Sequence, residues 1–381
     1  MRTLDILHVG PLSGNRITGL NVSIPNLAYA QSMSSGVSVR ILNSKSAPPP
    51  ASSLPVGTWR SEVGPIGALR NPRTPDLVVF HSTYLPRHAL LGRWLQQRRI
   101  PYIITPRGGL TREALQRKRL KKAVGDRLFF HRLVSGAIGI HFLSNAEAES
   151  SRTWNLPYFV QGNGTSLPTD AEVNVHQRVD SSPLVLFIGR LDVHMKGLDL
   201  LLQAWALSAP KLKEKKARLI IRGPGNSAQI EKLHNLIRIL DISDQVEIGG
   251  AVTGTSKADL LSKASLFVHT SRSEGQPSAI LEAMAYGIPC LVTPGTNMAD
   301  EVRDARSGWA VASSPVAIAE AIVQSLGSRM ELVSRGMSAR ERAVEQFSWA
   351  TVAERTLAGY RDLMNNTSRR GWASPVPHSP M

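Results

Sequence analysis

The chain has 381 residues and a single cysteine, Cys290, which excludes an internal disulfide framework and any metal site built on cysteine. Cys290 stands in the apolar run 288–292, where a small core residue is the expected role. No apolar run approaches the roughly 20 residues needed to cross a bilayer. The longest candidates, such as Leu184–Ile188 and residues 266–268, have the length of strands. The chain opens on Met1-Arg2-Thr3-Leu4-Asp5 and runs straight into a strand pattern, with no signal-peptide hydrophobic region. A soluble, cytoplasmic protein is the expectation.

Acidic residues are scarce relative to basic ones, 29 against 45, and the formal charge of +16 favours anionic partners. The excess is concentrated. From Tyr84 to Arg132 there are 13 Lys and Arg against two acids, Glu113 and Asp126. Its densest part, Gln116-Arg117-Lys118-Arg119-Leu120-Lys121-Lys122, carries Leu120, Ala123, Val124 and Leu128 at helix-like spacing. Two readings stand side by side: a solvated helix face, or a basic amphipathic helix lying on anionic lipid. Nucleic-acid binding is the reading from a different class. Against it, no helix-turn-helix, zinc or RNA-recognition pattern is present, and the basic residues lack interleaved aromatics.

Short apolar strands alternate with helical stretches along the whole chain, which predicts parallel sheets covered by helices on both faces. The strands fall at residues 5–9, 37–42, Leu77–His81, Tyr102–Thr105 and 137–142 in the first half. In the second they fall at Leu184–Ile188, 218–221, 245–248, 265–268 and 289–292. The polar, aperiodic stretch between the halves reads as a linker. The expected organisation is an α/β fold of two Rossmann-like domains: 1–168, a linker 169–183, 184–349, then a helix 350–364 returning to the first domain and a disordered tail 365–381. Ligands of such sheets lie beyond the carboxyl ends of the strands.

The strand Leu184–Ile188 runs into Gly189-Arg190-Leu191-Asp192-Val193-His194-Met195-Lys196-Gly197, ahead of a helix over 198–206. Arg190 and Lys196 emerge from one strand-to-helix loop, where a planar fork and a point charge can clamp a diphosphate. A second loop, after the strand at 265–268, reads His269-Thr270-Ser271-Arg272-Ser273-Glu274-Gly275-Gln276-Pro277-Ser278 and enters a helix that Gly287 and Pro289 stop. Its bare N–H groups and positive helix end suit an anion. Glu274 lies in the loop and Glu282 more than one turn inside the helix, carboxylates able to hold vicinal hydroxyls.

Glu274 and Glu282 form Glu-x7-Glu, and together with Gly189-Arg190-Leu191-Asp192…Lys196-Gly197 they resemble glycosyltransferase family 4, retaining enzymes of the two-domain GT-B architecture. The similarity is strongest from Leu184 to Val302 and weaker in the first half. The resemblance implies a nucleotide-sugar donor, with no cofactor besides that co-substrate, and a glycan or lipid-linked acceptor in polysaccharide or glycolipid synthesis. It implies that Arg190 and Lys196 bind the donor diphosphate and that Glu282 holds the ribose. Glu274, with Gly275, Gln276, Pro277 and Ser278, would meet the transferred sugar and distal phosphate. Arg222-Gly223-Pro224-Gly225 matches the family's glycine loop, and Gly249-Gly250 would lie against the base. Thr18-Gly19 resembles the glycine-rich loop of the first domain, and Asn163-Gly164 the turn that ends it.

One departure is plain. Where the family often has a histidine near the reacting sugar, this chain has Arg107 in Thr105-Pro106-Arg107-Gly108-Gly109. Arginine cannot act as a base but can neutralise a phosphate or an acidic acceptor. His81 ends the preceding strand, as a site residue or as a structural histidine bonded to backbone. No Asp-x-Asp pair is present for a metal, so metal independence is expected. An epimerase or hydrolase on the same scaffold is the nearer alternative, because fold alone does not fix the reaction.

The basic segment yields a test of its own. Recruitment to acidic vesicles, weakened by salt and by Lys121→Glu with Lys122→Glu, is the expected outcome for a lipid-facing helix. Equal sedimentation with neutral and acidic vesicles leaves the solvated face.

Overall fold

The computed structural model describes residues 3–12, 19–44, 61–63, 74–83, 85–111, 130–173 and 182–370. It divides into two compact units, one of residues 1–164 with 349–381, the other of residues 165–348. The first unit carries β1 (Leu4–Gly10), α1 (Gly19–Ser32), β2 (Val37–Asn43), β3 (Ser61–Val63), β4 (Leu77–His81), α2 (Pro86–Gln97) and β5 (Tyr102–Thr105). It continues with α3 (His131–Ser135), β6 (Gly139–Phe142), α4 (Asn145–Ser150) and β7 (Tyr158–Val160). The second carries β8 (Leu184–Ile188), α5 (Leu198–Glu214), β9 (Arg218–Arg222), α6 (Ser227–Ile239), β10 (Val246–Gly249), α7 (Gly254–Lys263) and β11 (Leu266–His269). Then come α8 (Ser278–Ala285), β12 (Cys290–Val292), α9 (Ala299–Asp304), β13 (Gly308–Ala310), α10 (Pro315–Gly327) and α11 (Arg329–Phe347). A last helix, α12 (Trp349–Arg370), belongs to the first unit.

Each unit is built on one sheet, ordered β3-β2-β1-β4-β5-β6-β7 in the first and β10-β9-β8-β11-β12-β13 in the second. Pairing is parallel throughout, with registers such as Ile6 opposite Leu77 and Leu266 opposite Val185. A parallel sheet covered on both faces requires strands apolar at every position. In β8, Val185 and Phe187 enter one core while Leu186 and Ile188 enter the other, as the twofold side-chain alternation of a strand dictates. In β4, Val78 and Phe80 face one core of the first unit, Leu77 and Val79 the other. These are two Rossmann-like domains, the composition of the GT-B class.

In both sheets the strand order reverses beside the first strand: between β1 and β4 in the first unit, between β8 and β11 in the second. The loops leaving those neighbouring strands diverge and leave a crevice, the place where open parallel sheets bind ligands.

Several boundaries shift from those the residues suggest. The helix after Lys196 runs to Glu214, through Pro210. The helix expected over 350–364 starts at Trp349 and extends to Arg370, so residues 365–370, expected in a disordered tail, are helical. The basic stretch 116–128, Thr18 and residues 371–381 lie outside the described residues. Cys290 is buried in the second core. The helix stop holds as read: Gly287 takes φ +66° after α8, a conformation open to glycine at no steric cost.

Gly164 departs from its expected role as a turn residue of positive φ. Its φ is ordinary, and what requires glycine is the Trp349 ring, with two carbons 2.4 and 2.5 Å from where a Cβ would stand. The start of α12 is thereby laid on the end of the first domain, and Leu357, Tyr360 and Leu363 further along complete its core. Gly164→Ala is expected to destabilise the first unit by about 1–3 kcal/mol, the usual cost of overpacking. The check is the midpoint of its urea transition, and an unshifted midpoint refutes the account.

Candidate active site

The second unit's crevice is framed by the loops after β8 and β11. Leu191 N–H donates to the Pro224 carbonyl at 2.8 Å, and a Cβ on Gly223 would lie 1.6 Å from the Gly189 carbonyl oxygen. Gly223 is thus required by close approach of two backbones, a stronger demand than a turn. Asp192 folds the loop back by accepting from Met195 N–H at 3.0 Å, and Gln229 accepts from Val193 N–H at 2.9 Å. Gly197, at φ +60°, caps α5 where a side chain would meet the Thr270 carbonyl at 2.0 Å.

These constraints deliver the Lys196 side chain into the protein, only 9% exposed, while Arg190 stays exposed. Lys196 Nζ ion-pairs with Glu274 Oε1. The same carboxylate oxygen accepts from Ser271 Oγ at 2.9 Å and lies 3.4 Å from His269 Nε2. His269 is buried between Phe187 and Phe267, and burial lowers its pKa, so the neutral ring donates Nε2–H to Glu274. Burial pulls the Glu274 carboxyl upward, but the hydrogen bond from His269 and the charge of Lys196 outweigh it and hold the pKa down at about 2. Lys196 and Glu274, which the motifs placed in two separate loops, are one charge-compensated unit.

The loop bearing Glu274 is fixed by residues with no motif to announce them. Arg272 forks onto Asp199 at 2.7 and 2.8 Å and donates to the His194 carbonyl at 2.6 Å. Asn297, in the left-handed region at φ +55°, donates to the carbonyls of Glu274 at 2.6 Å and Gly275 at 3.2 Å. Pro277 is the N-cap of α8 and has no side chain with which to cap it, so the N–H groups of Ser278 and Ala279 have no side-chain cap at the helix end, while Ile280 N–H closes on the Pro277 carbonyl at 3.1 Å. Beside them Gly275 has open space where a Cβ would stand, and Gln276 Nε2 contacts Met298 Sδ.

Glu282 is placed apart from Glu274 in its partner: it ion-pairs with Lys257 of α7, a residue the motifs did not single out. Gly249 lies under the Arg222 guanidinium, which itself pairs with Glu247. Among the described residues, no group of three His, Cys, Asp or Glu side chains is placed to hold a metal ion.

In the first unit the reversal between β1 and β4 assembles a second polar cluster. His81 is fully buried, and its Nε2 is 2.8 Å from His8 Nδ1; His8 Nε2 is 2.8 Å from Gln31 Oε1. Arg107 Nε and Nη2 both lie 3.4 Å from His81 Nδ1, and Nη1 donates to Asn163 Oδ1 at 3.1 Å. A guanidinium only donates, so His81 Nδ1 accepts, His81 Nε2–H donates to His8, and His8 Nε2–H donates to Gln31. His81 is therefore held by side chains, with no backbone bond of the kind expected for a structural histidine. Arg107 sits at φ +52° and Gly108 at +80°, a turn pinned by Glu147, whose two oxygens accept from the N–H groups of Gly108 and Leu143. Gly19 is the exposed first residue of α1, with open space where a Cβ would stand.

Of these partners, Ser271 and His269 were open to discovery from sequence, since both share a strand-end loop with Glu274. His8, Gln31, Glu147, Asn163 and Asn297 carried no local signal.

Burial keeps four buried histidines of the first unit neutral: His8 and His88 fall to about 4 and His141 to about 3, with His81 also well below the ordinary 6.5. The unfolded chain takes up protons near 6.5 while the folded unit does not. Stability is therefore full above about pH 6.5 and lost progressively as pH falls toward 4. A lower urea midpoint for this unit at pH 5 than at pH 7 is expected; equal midpoints would contradict the buried neutral cluster.

Residues 182–328 match the family described as glycosyl transferases group 1, and residues 18–159 the glycosyl transferase 4-like domain. The D-inositol 3-phosphate glycosyltransferase 2 of Catenulispora acidiphila is 33% identical over 200 residues, 51% of this chain and 44% of the relative. The phosphatidyl-myo-inositol mannosyltransferase of Mycobacterium leprae is 26% identical over 247 residues, 63% of this chain and 62% of that one. The chain spans about half the length of the first curated relatives it matches. In fold it is similar to HepE of Anabaena solved with UDP and glucose, at TM-score 0.70 and 16% identity over 94% of this chain and all of that one. Sucrose-phosphate synthase of Thermosynechococcus elongatus gives TM-score 0.75 at 19% identity over 95% of this chain and 100% of the other. With both halves matched, and with Arg190, Lys196, Glu274 and Glu282 in the strand-end loops and helix where the motifs put them, the chain belongs to the group 1 glycosyltransferases of family 4.

Proposed function

We propose that this protein transfers a hexosyl group from a nucleoside-diphosphate sugar to a glycan or lipid-linked acceptor, with retention of anomeric configuration and without a divalent metal. The work would be assembly of a cell-surface polysaccharide or glycolipid, at the cytoplasmic face of a membrane. The observation that carries the reading is the Lys196–Glu274 pair at the mouth of the β8/β11 crevice, beside the uncapped start of α8 and the exposed Arg190.

A departing nucleoside diphosphate builds up negative charge, which a transferase neutralises by a bound cation or by preorganised donors. Arg190, Lys196 and the first-turn N–H groups of α8 are such donors. Lys196 would exchange part of its contact with Glu274 for a phosphate oxygen. Glu274, still held by Ser271 and neutral His269, would then accept hydroxyls of the sugar, and Glu282 those of the ribose. The HepE structures hold UDP and UDP-glucose, and the names of two relatives specify an inositol phosphate and a phosphatidylinositol. Both support a nucleotide-sugar donor and a phosphorylated or lipid-borne acceptor for this chain.

Enzyme treated with chelator is expected to retain full transfer activity from its sugar nucleotide. Arg190→Ala combined with Lys196→Ala should abolish transfer, and added magnesium should not restore it. Activity that vanishes with chelator and returns with magnesium or manganese would overturn the metal-free mechanism. Absence of nucleoside-diphosphate binding in calorimetry would overturn the transferase reading itself.

A further inference from the structure

Arg107 is a half-buried cation with no ion pair among the described residues: its hydrogen bonds run to neutral His81 and Asn163. Glu147, the acidic group that acts on it through space, makes no hydrogen bond to the guanidinium and accepts instead from the N–H groups of Gly108 and Leu143. Charges of that kind are held in proteins by a counter-charge. Burial without one lowers the Arg107 pKa to about 10, only partly offset by the more distant charge of Glu147.

The surroundings are those of a site with its anion still to come. His8 and His141 are buried and neutral, like His81, and supply no negative charge. Gly108, next to Arg107, has nothing within 4 Å of the place a Cβ would take, so no side chain of the described residues roofs the turn. The Thr83 hydroxyl, 2% exposed and without a hydrogen-bond partner, lies against Gly109, 2.5 Å from where its Cβ would be. Two successive left-handed residues, one of them not glycine, aim the guanidinium. Backbone strain of this kind collects at functional sites.

We propose that Arg107 recognises an oxyanion, a phosphate or carboxylate, carried by the sugar acceptor. The inference rests on the transferase reading above and deepens it by naming the acceptor class. His81, His8 and Gln31 position the guanidinium from behind through a chain of oriented hydrogen bonds, and Glu147 holds the turn. None of the four need touch the acceptor.

The test uses the full chain with Arg190→Ala and Lys196→Ala, so that the cations of the second unit contribute nothing. Inorganic phosphate and glucose 6-phosphate are titrated calorimetrically into this protein and into versions that also carry Arg107→Gln or Arg107→Lys. Both probes are expected to bind, at least roughly tenfold more weakly with Arg107→Gln, the usual effect of losing a charged hydrogen bond, and with partial recovery in Arg107→Lys. Recovery by lysine, with an unchanged far-ultraviolet spectrum, separates loss of charge from loss of fold. Binding that ignores Arg107→Gln, or no binding of either probe, overturns the proposal. So does binding of inorganic phosphate with exclusion of glucose 6-phosphate, since the ion is then a free one. Binding of UDP or GDP by the unmodified protein is measured alongside: its presence with an Arg107-independent phosphate response sinks this inference alone, and its absence sinks the transferase reading.

Discussion

Thr270 follows β11 directly, its hydroxyl donating to the carbonyls of Gly197 at 2.9 Å and Lys196 at 3.3 Å, while its own carbonyl leaves no room for any side chain on Gly197. The close approach of these two backbones is what the rest of the second unit's site depends on. It fixes where α5 begins and hence where Lys196 emerges. It also sets the distance over which Arg272 can fork onto Asp199 of α5, while the loop carrying Glu274 is tied to the loop carrying Lys196 at three places: Arg272 to the His194 carbonyl, Arg272 N–H to the Met195 carbonyl, and Glu274 to Lys196. An ion pair between flexible surface loops contributes little; one between loops already clamped has its side-chain entropy largely removed in advance. A preorganised pair of this kind suits charge that appears only as a bond breaks.

The two crevices use opposite electrostatics. In the second unit the lysine is matched by a carboxylate, with the exposed Arg190 in the same loop as Lys196. In the first, the charge is a single guanidinium backed by a chain of neutral side chains, His81, His8 and Gln31, whose tautomers it dictates. Exchange of partners is easy at the first kind of site. At the second, the guanidinium bonds only neutral side chains and makes no ion pair among the described residues, so an external anion would complement Arg107 without displacing a salt bridge.

Both clusters lie where the strand order of their sheet reverses. That placement explains why residues remote in sequence meet: His8 and His81 are 73 residues apart, Lys196 and Glu274 78. It also explains why glycines recur there. At Gly197 and Gly223 the space a Cβ needs is taken by a neighbouring backbone carbonyl, a demand of packing that composition alone does not disclose.

What the amino-acid sequence determined by itself was local and periodic. Apolar runs such as 184–188 have to be buried on both faces, so parallel strands under helices follow from hydrophobicity and length. Arg190, Lys196, Glu274 and Glu282 were legible because their motifs sit within a few residues of those strands, and the stop at Gly287 because positive φ belongs to glycine. The partners were decided only by tertiary structure. Glu282 faces Lys257, Asn297 reaches the Glu274 carbonyl, Asn163 takes Arg107, Trp349 accounts for Gly164, and the tail expected from 365 onward is helical to Arg370. The physical reason is that strand order in a sheet arises from packing between distant segments. The nearest acceptor for a buried donor is then a matter of distance through space, which no spacing along the chain encodes.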